Sequence, residues 1–341
     1  MLDNNGKYLS ALKSVINPNL DYTKLNNKTI LVTGATGLIG KALVDYILLL
    51  SDSVKVYAAG RSEENFNKRF LKRENLHYFE YDIEKPIETN LKFDYIIHAA
   101  SNADPKMFAT DPVGTMVSNF TGTHNLLEYA KNNHVERLLF ISSGEVYGQW
   151  DGKCNSFTED YAGYVNFTDS RGCYPSGKRA AENLCICYKE QYGVDVVIAR
   201  LSHTYGPTQL IRDSRAMSEF FRLATENKDI ILRSKGEFVR SYTAVFDAVG
   251  GIVTILLKGE SGQAYNVANK ESVVSIAHLA EKIAHTAGRR VVFDIPETQI
   301  GVSNIARGVL DGTKLENLGW EPRYDIDKGI KTTYDIMREE I

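Results

Sequence analysis

Tyr174 and Lys178 lie four residues apart in Tyr174-Pro175-Ser176-Gly177-Lys178, a spacing that stacks two side chains on one face of a helix. An ammonium beside a phenol favours the phenolate. A tyrosine with an ordinary pKa of about 10 can then exchange a proton near neutral pH. A solvated helix face shows the same pattern, so the pair gains its meaning from two signals upstream. The first is Thr33-Gly34-Ala35-Thr36-Gly37-Leu38-Ile39-Gly40, set between the β-branched run 28–32 and the helical composition of 41–50. Strand, glycine turn and helix form the context of a dinucleotide site. Gly34 permits the tight turn, Gly37 lets the backbone approach a pyrophosphate at the helix N-terminus, and Gly40 lets helix and strand pack closely. Thr36, Leu38 and Ile39 complete that lining; the plainer reading is a turn with incidental glycines. The second signal is Ser142-Ser143 at the end of the apolar run 138–141. Open α/β sheets bind ligands at the C-terminal ends of their strands, where Ser143 can hydrogen-bond a substrate oxygen. Such a pair is also common in simple turns.

Apolar strands that alternate with helices must position these groups. Strands are read at 28–32, 54–59, 76–81, 95–99, 138–142 and 194–199, with helices between them. This implies an α/β fold, a Rossmann-type doubly wound parallel sheet with a smaller mixed C-terminal substrate lobe. The division expected is an N-terminal arm over 1–26, a dinucleotide-binding domain over 27–206, and a substrate lobe over 207–341. Segments near 242–257 are expected to return to the first domain. The arm reads as a helix near 8–16 and is assigned no chemistry. Of 341 residues, 43% are hydrophobic and 24% charged, which is ordinary for a soluble globular chain. A net charge of −3 gives no basic footprint for nucleic acid. The longest apolar stretch is too short to span a bilayer, and no signal peptide is evident. Cys154, Cys173, Cys185 and Cys187 lack metal-ligand spacing; free buried thiols in a reducing cytoplasm are expected, with no metal site.

Taken together, the glycine turn, Ser142-Ser143-Gly144-Glu145-Val146-Tyr147-Gly148 and Tyr174-x-x-x-Lys178 resemble the extended short-chain dehydrogenase/reductase family. That group contains sugar-nucleotide epimerases, dehydratases, decarboxylases and reductases. Further matches are Tyr95 to Ser101, Asn119 to Thr123, Arg200 to Pro207 and Leu318 to Pro322. The resemblance implies catalytic roles for Ser143, Glu145, Tyr174 and Lys178. It places Ala99, Ala100, Ser101, Asn119, Leu201 and His203 around the cofactor, and Asp82-Ile83 near adenine, where a loop-capping Asp is the alternative. The long helices over 115–132 and 174–192 correspond to the pair that forms a dimer in relatives, so a homodimer is expected.

NAD-preferring members usually end the second strand with a carboxylate that binds the ribose 2′-hydroxyl. This chain has Ala58-Ala59-Gly60-Arg61-Ser62. Arg61 suits a 2′-phosphate through a charge-assisted fork, so NADP(H) is favoured and NAD(H) kept as the alternative; Arg61 stacking on adenine or facing water remains open. Arg240 resembles the arginine that binds a nucleotide-sugar diphosphate. Arg307 and Arg215 are further substrate-lobe candidates. Gly144 stands where 4,6-dehydratases carry an acidic Asp, whereas Glu145, the segment Thr158 to Asn166 and the lead-in Arg171-Gly172-Cys173-Tyr174 are decarboxylase-like. The leading expectation is net reduction of a keto group on a nucleotide-linked sugar. The alternative is a redox-neutral epimerase or UDP-glucuronate-decarboxylase-like enzyme with a retained cofactor. A non-catalytic dinucleotide sensor is a third reading, which the intact tetrad disfavours.

Overall fold

The computed structural model describes residues 1–211, 213–296 and 305–340. Its strands are β1 (Thr29–Thr33), β2 (Lys55–Gly60), β3 (Leu76–Glu80), β4 (Tyr95–His98), β5 (Arg137–Ser143), β6 (Val196–Leu201) and β7 (His203–Tyr205). They are followed by β8 (Ile230–Leu232), β9 (Val239–Ala244), β10 (Ala264–Val267), β11 (Val273–Ser275), β12 (Val291–Phe293) and β13 (Arg307–Gly308). The helices of the first half are α1 (Gly6–Ser14), α2 (Leu38–Leu50), α3 (Glu63–Arg69), α4 (Pro105–Thr110), α5 (Pro112–Asn133) and α6 (Cys173–Tyr192). Those of the second are α7 (Ala216–Thr225), α8 (Val245–Lys258), α9 (Ile276–Thr286), α10 (Thr313–Glu316) and α11 (Ile326–Glu339).

The central sheet has seven strands in the order β10-β6-β5-β4-β1-β2-β3, all parallel. Helices cover both faces, so its strands are apolar throughout instead of alternating; all four residues of β4 are buried. The order reverses between β1 and β4. A crevice opens there outside the carboxyl ends of the strands, the place where doubly wound sheets bind dinucleotides. The glycine turn follows β1 and Ala99-Ala100-Ser101 follow β4, so both flank that crevice.

The six strands read from the sequence are present, with ends shifted by one or two residues. β10 was not anticipated: it extends the central sheet beyond β6, and its four residues are too few to carry a periodicity. The segment 242–257 divides. Tyr242 to Ala244 finish β9, which belongs to a separate small sheet with β7, β11 and β13, though Tyr242 and Ala244 pack in the same core as α8, whose residues are almost all buried. Among the described residues no helix is long and apolar enough to cross a membrane. The cysteine reading also needs correction: all four thiols are free, but Cys187 is exposed and Cys154 half-buried.

The N-terminal segment packs as part of the core. Tyr8, Leu12 and Leu25 are fully buried. Lys41 of α2, itself 1% exposed, lies between the buried carboxylates of Asp3 and Asp45. The Tyr8 hydroxyl donates to Asp45 at 2.8 Å, and the Leu71 amide donates to Asp3 at 2.8 Å. At its start, the segment is tied to α11 by the Met1 ammonium on Glu340 and Lys7 on Glu339.

Candidate active site

The glycine turn is built by close approach. Gly34 has φ +65°, and a methyl group there would lie 2.7 Å from the Ala99–Ala100 backbone. At Gly40 the methyl would lie 2.2 Å from the Gly34 carbonyl oxygen. Gly37 precedes the first turn of α2, whose free amide groups face the crevice. These features fit a dinucleotide pyrophosphate, which needs bare backbone at that distance. Gly40→Ala is expected to force the turn away from α2, costing about 1–3 kcal/mol of stability as overpacking and weakening dinucleotide binding. Denaturant unfolding and calorimetric titration with NAD and with NADP measure the two effects, and wild-type values throughout would show that the turn tolerates the methyl.

The β4 side is fastened to the β1 side. The Thr33 hydroxyl bonds to His98 Nδ1 at 2.9 Å and accepts the Ala100 amide at 3.2 Å. Ser101 donates to Asn119 Oδ1 at 2.9 Å, and Asn119 Nδ2 donates to the Thr115 carbonyl at 2.7 Å. Asn119 therefore positions the post-β4 loop from α5. Thr36, Leu38 and Ile39 sit on the turn, and the Leu38 carbonyl accepts from Thr208. Leu201 ends β6 opposite Ser143, and His203 packs its ring 5.7 Å from Tyr242.

Tyr174 and Lys178 lie in the first turns of α6, and Ser143 and Glu145 at the end of β5 and in the turn after it. Lys178 is buried. It donates to the Ile141 carbonyl at 2.8 Å and lies 4.6 Å from the Phe140 ring centre and 6.0 Å from that of Tyr174. The expected depression of the Tyr174 pKa is not what this environment produces. Burial pushes the phenol up to about 12, with the Glu145 charge adding to the rise; Ser143, Arg215 and Ser101 only partly offset it. Burial likewise draws Lys178 down to about 7, against the pull of Glu182. Desolvation is the largest cause of both shifts and favours the neutral form of each group.

Ser143 accepts the Glu145 amide at 3.2 Å, which fixes the turn carrying Glu145. The Glu145 carboxylate takes both arms of Arg171, at 3.0 and 3.1 Å. Arg171 stands 4.8 Å over Phe108. Phe108 stacks on Tyr174, ring centres 4.6 Å apart and planes 19° from parallel. Neither contact is legible in the sequence: Phe108 carries no spacing signal, and Arg171 stands out only as part of the lead-in to Tyr174. One turn beyond Lys178, Glu182 pairs with Arg200 at 2.7 Å. Arg200 also donates to Tyr147 at 3.1 Å and to the Glu159 carbonyl at 2.7 Å.

The substrate-lobe arginines are differently placed. Arg215 is paired with Asp213 through its Nε at 2.9 Å, close enough for its charge to act on Tyr174. Arg240 is buried, 5.5 Å over the Phe238 ring, and donates to the Val239, Ala306 and Ile305 carbonyls. Arg307 donates to the Asn155 carbonyl at 2.7 Å. The charge of Glu145 reaches Arg240, so these groups share one electrostatic environment. Asp82 accepts the Glu84 amide at 3.2 Å as a turn cap, while Ile83 packs against Gly122 of α5. Arg61 is exposed immediately after β2 and, among the described residues, makes no ion pair. Also among the described residues, no three His, Cys, Asp or Glu side chains are grouped to hold a metal ion.

Residues 30–268 match the model of the NAD dependent epimerase/dehydratase family. UDP-glucuronic acid decarboxylase 1 of Xenopus tropicalis is 31% identical to the chain, over 93% of it and 73% of the relative. UDP-glucuronic acid decarboxylase 6 of Arabidopsis thaliana is 32% identical, over 92% of the chain and 90% of the relative. The crystal structure of the UDP-glucose 4-epimerase of Thermotoga maritima superposes with a TM-score of 0.79, covering 92% of this chain and 99% of that one. At 22% identity that likeness speaks for the fold alone.

Proposed function

Given that this chain belongs to the NAD dependent epimerase/dehydratase family, we propose that it is a redox-neutral enzyme of nucleotide sugars, acting on UDP-glucuronate as a decarboxylase with bound NAD. The observation that carries this reading is the similarity to UDP-glucuronic acid decarboxylases over 92–93% of this chain. The retention of Glu145 beside Tyr174, with glycine at 144, supports it. Net reduction with NADP(H), the leading expectation from Arg61, gives way. An exposed arginine after β2 is weaker evidence than the match to relatives that carry out decarboxylation, and NAD(H) replaces NADP(H) as the cofactor proposed.

When bound, the oxidised nicotinamide would supply a hydride acceptor and later return the same hydride. Tyr174 takes the proton of the sugar hydroxyl that becomes a ketone, and Ser143 donates to that oxygen. Lys178, fixed by the Ile141 carbonyl one helical turn beyond Tyr174, would grip the nicotinamide ribose. A carboxylate β to the new ketone leaves as CO2, its bonding electrons passing into the ketone as an enolate. Glu145 manages the proton that returns to carbon, and Tyr174 returns its own as the ketone becomes an alcohol again. Preorganised donors at the developing oxyanion are where the rate enhancement should arise.

The diphosphate is assigned to the basic side of the substrate lobe, with Arg215, Arg240 and Arg307 as candidates. A homodimer is proposed through α5 and α6, supported by the exposed apolar stripe of Val113, Met116, Val117 and Phe120 on α5. The division at about residue 206 and a reducing cytoplasmic setting, the latter resting on four unpaired cysteines, are kept as proposals.

Purified protein incubated with UDP-glucuronate and no added reductant is expected to release CO2 and form a UDP-pentose, as read by mass spectrometry. A product of unchanged mass would make it an epimerase. Consumption of NADPH in proportion to product would restore the reductase reading.

A further inference from the structure

Arg171 precedes α6 in a short 3₁₀ turn and spends both arms of its guanidinium on Glu145. The two side chains are 32% and 23% exposed, so the pair is open to solvent and is not sealed in the core. The face of the guanidinium rests on Phe108, and Phe108 stacks on Tyr174. The position of the positive charge is thereby tied to the position of the proton donor. The negative charge of Glu145 acts on Tyr174 and reaches Arg240 across the cleft. Any anionic substituent brought next to Tyr174 therefore enters the field of Glu145, and adjacent carboxylates disfavour one another.

We propose that Arg171 is the residue that lets this site accept an acidic sugar: it cancels the charge of Glu145, so that a substrate carboxylate can lie beside Tyr174 without repulsion and without being gripped itself. The inference rests on the nucleotide-uronate reading above. A direct guanidinium grip on the substrate would stabilise the carboxylate in the ground state more than in the transition state for its loss, and so would oppose decarboxylation. A guanidinium already committed to Glu145 removes the repulsion without that penalty. Arginine suits the task because its planar fork satisfies both carboxylate oxygens while its face lies on an aromatic ring. Arg171 is a positioning residue acting through Glu145, and it discriminates between acidic and neutral sugars.

The test is calorimetric binding of UDP-glucuronate and of the neutral UDP-glucose to NAD-loaded wild type, R171Q and R171Q/E145Q. R171Q is expected to bind UDP-glucuronate about tenfold or more weakly, the scale of one pKa unit of carboxylate–carboxylate interaction. UDP-glucose affinity should stay within about twofold, and adding E145Q should recover most of the loss, because the repelling charge is then gone. Equal losses for the two sugars would overturn the proposal. A double variant no better than R171Q would also overturn it, since Arg171 would then be gripping the substrate directly. R171K keeps the charge without the fork and is expected to retain most of the preference for the acidic sugar; if R171Q does not fold, an R171K that has lost that preference overturns the idea in its place. Affinity is read separately from turnover. A wild type that binds UDP-glucuronate without decarboxylating it would refute the proposed function and leave the role of Arg171 to be decided by the binding comparison.

Discussion

Tyr174→Phe is expected to lower kcat for UDP-glucuronate by about 10²–10⁴-fold, the usual worth of a positioned acid–base group. NAD affinity and thermal stability should stay near wild type. The phenol oxygen is the only atom removed, and the ring keeps its stack on Phe108. Burial and the Glu145 charge push the phenol up to about 12, so it is protonated throughout the neutral range. Phenylalanine takes a partner from Ser143 and Ser101, but each keeps another hydrogen bond, which is why structure should survive while chemistry does not. Steady-state turnover, NAD calorimetry and a melting curve on one preparation check this. Wild-type turnover by Tyr174→Phe would remove Tyr174 from the proton path and with it the assignment of the tetrad.

Lys41→Ala is expected to destabilise the protein by about 3–5 kcal/mol, the cost of leaving buried carboxylates without their cation. Asp3 and Asp45 are both buried against Lys41, and burial already pushes the Asp45 carboxyl upward. Removing the ammonium leaves Asp45 with no cation in contact and Asp3 with only the partly exposed Arg73, at 3.7 Å. The triple variant D3N/K41M/D45N keeps the shapes and the hydrogen bonds from Tyr8 and Leu71 while removing all three charges. It is expected to recover most of the loss, since replacing a whole buried ion cluster is often neutral. Urea midpoints of the two variants against wild type measure the difference. A Lys41→Ala midpoint within error of wild type would mean that water reaches the cluster and that the N-terminal segment is not fixed by it. The cluster lies on α2, the helix that begins at the glycine turn, so the same loss should carry over to cofactor binding.

The sequence by itself determined what depends on near neighbours in the chain. The glycine turn of Gly34, Gly37 and Gly40 was legible because its geometry is fixed within one strand-to-helix connection. Tyr174 and Lys178 were legible because helical spacing alone puts them on one face. The parallel sheet followed from apolar strands repeating between helices, and the likeness of the motifs pointed to the family. What the tertiary structure decided are the contacts between residues distant in sequence and the burial that sets charge. Phe108 reaches Tyr174, Arg171 reaches Glu145, and Asp3 reaches Lys41 only through packing of elements far apart in the chain. Arg240 resembles a diphosphate-binding arginine in the sequence, and only packing shows that its guanidinium donates to the Val239, Ala306 and Ile305 carbonyls beside β13. The Tyr174 and Lys178 protonation equilibria depend on desolvation. Desolvation is a property of the finished core, and no spacing of residues along a chain encodes it.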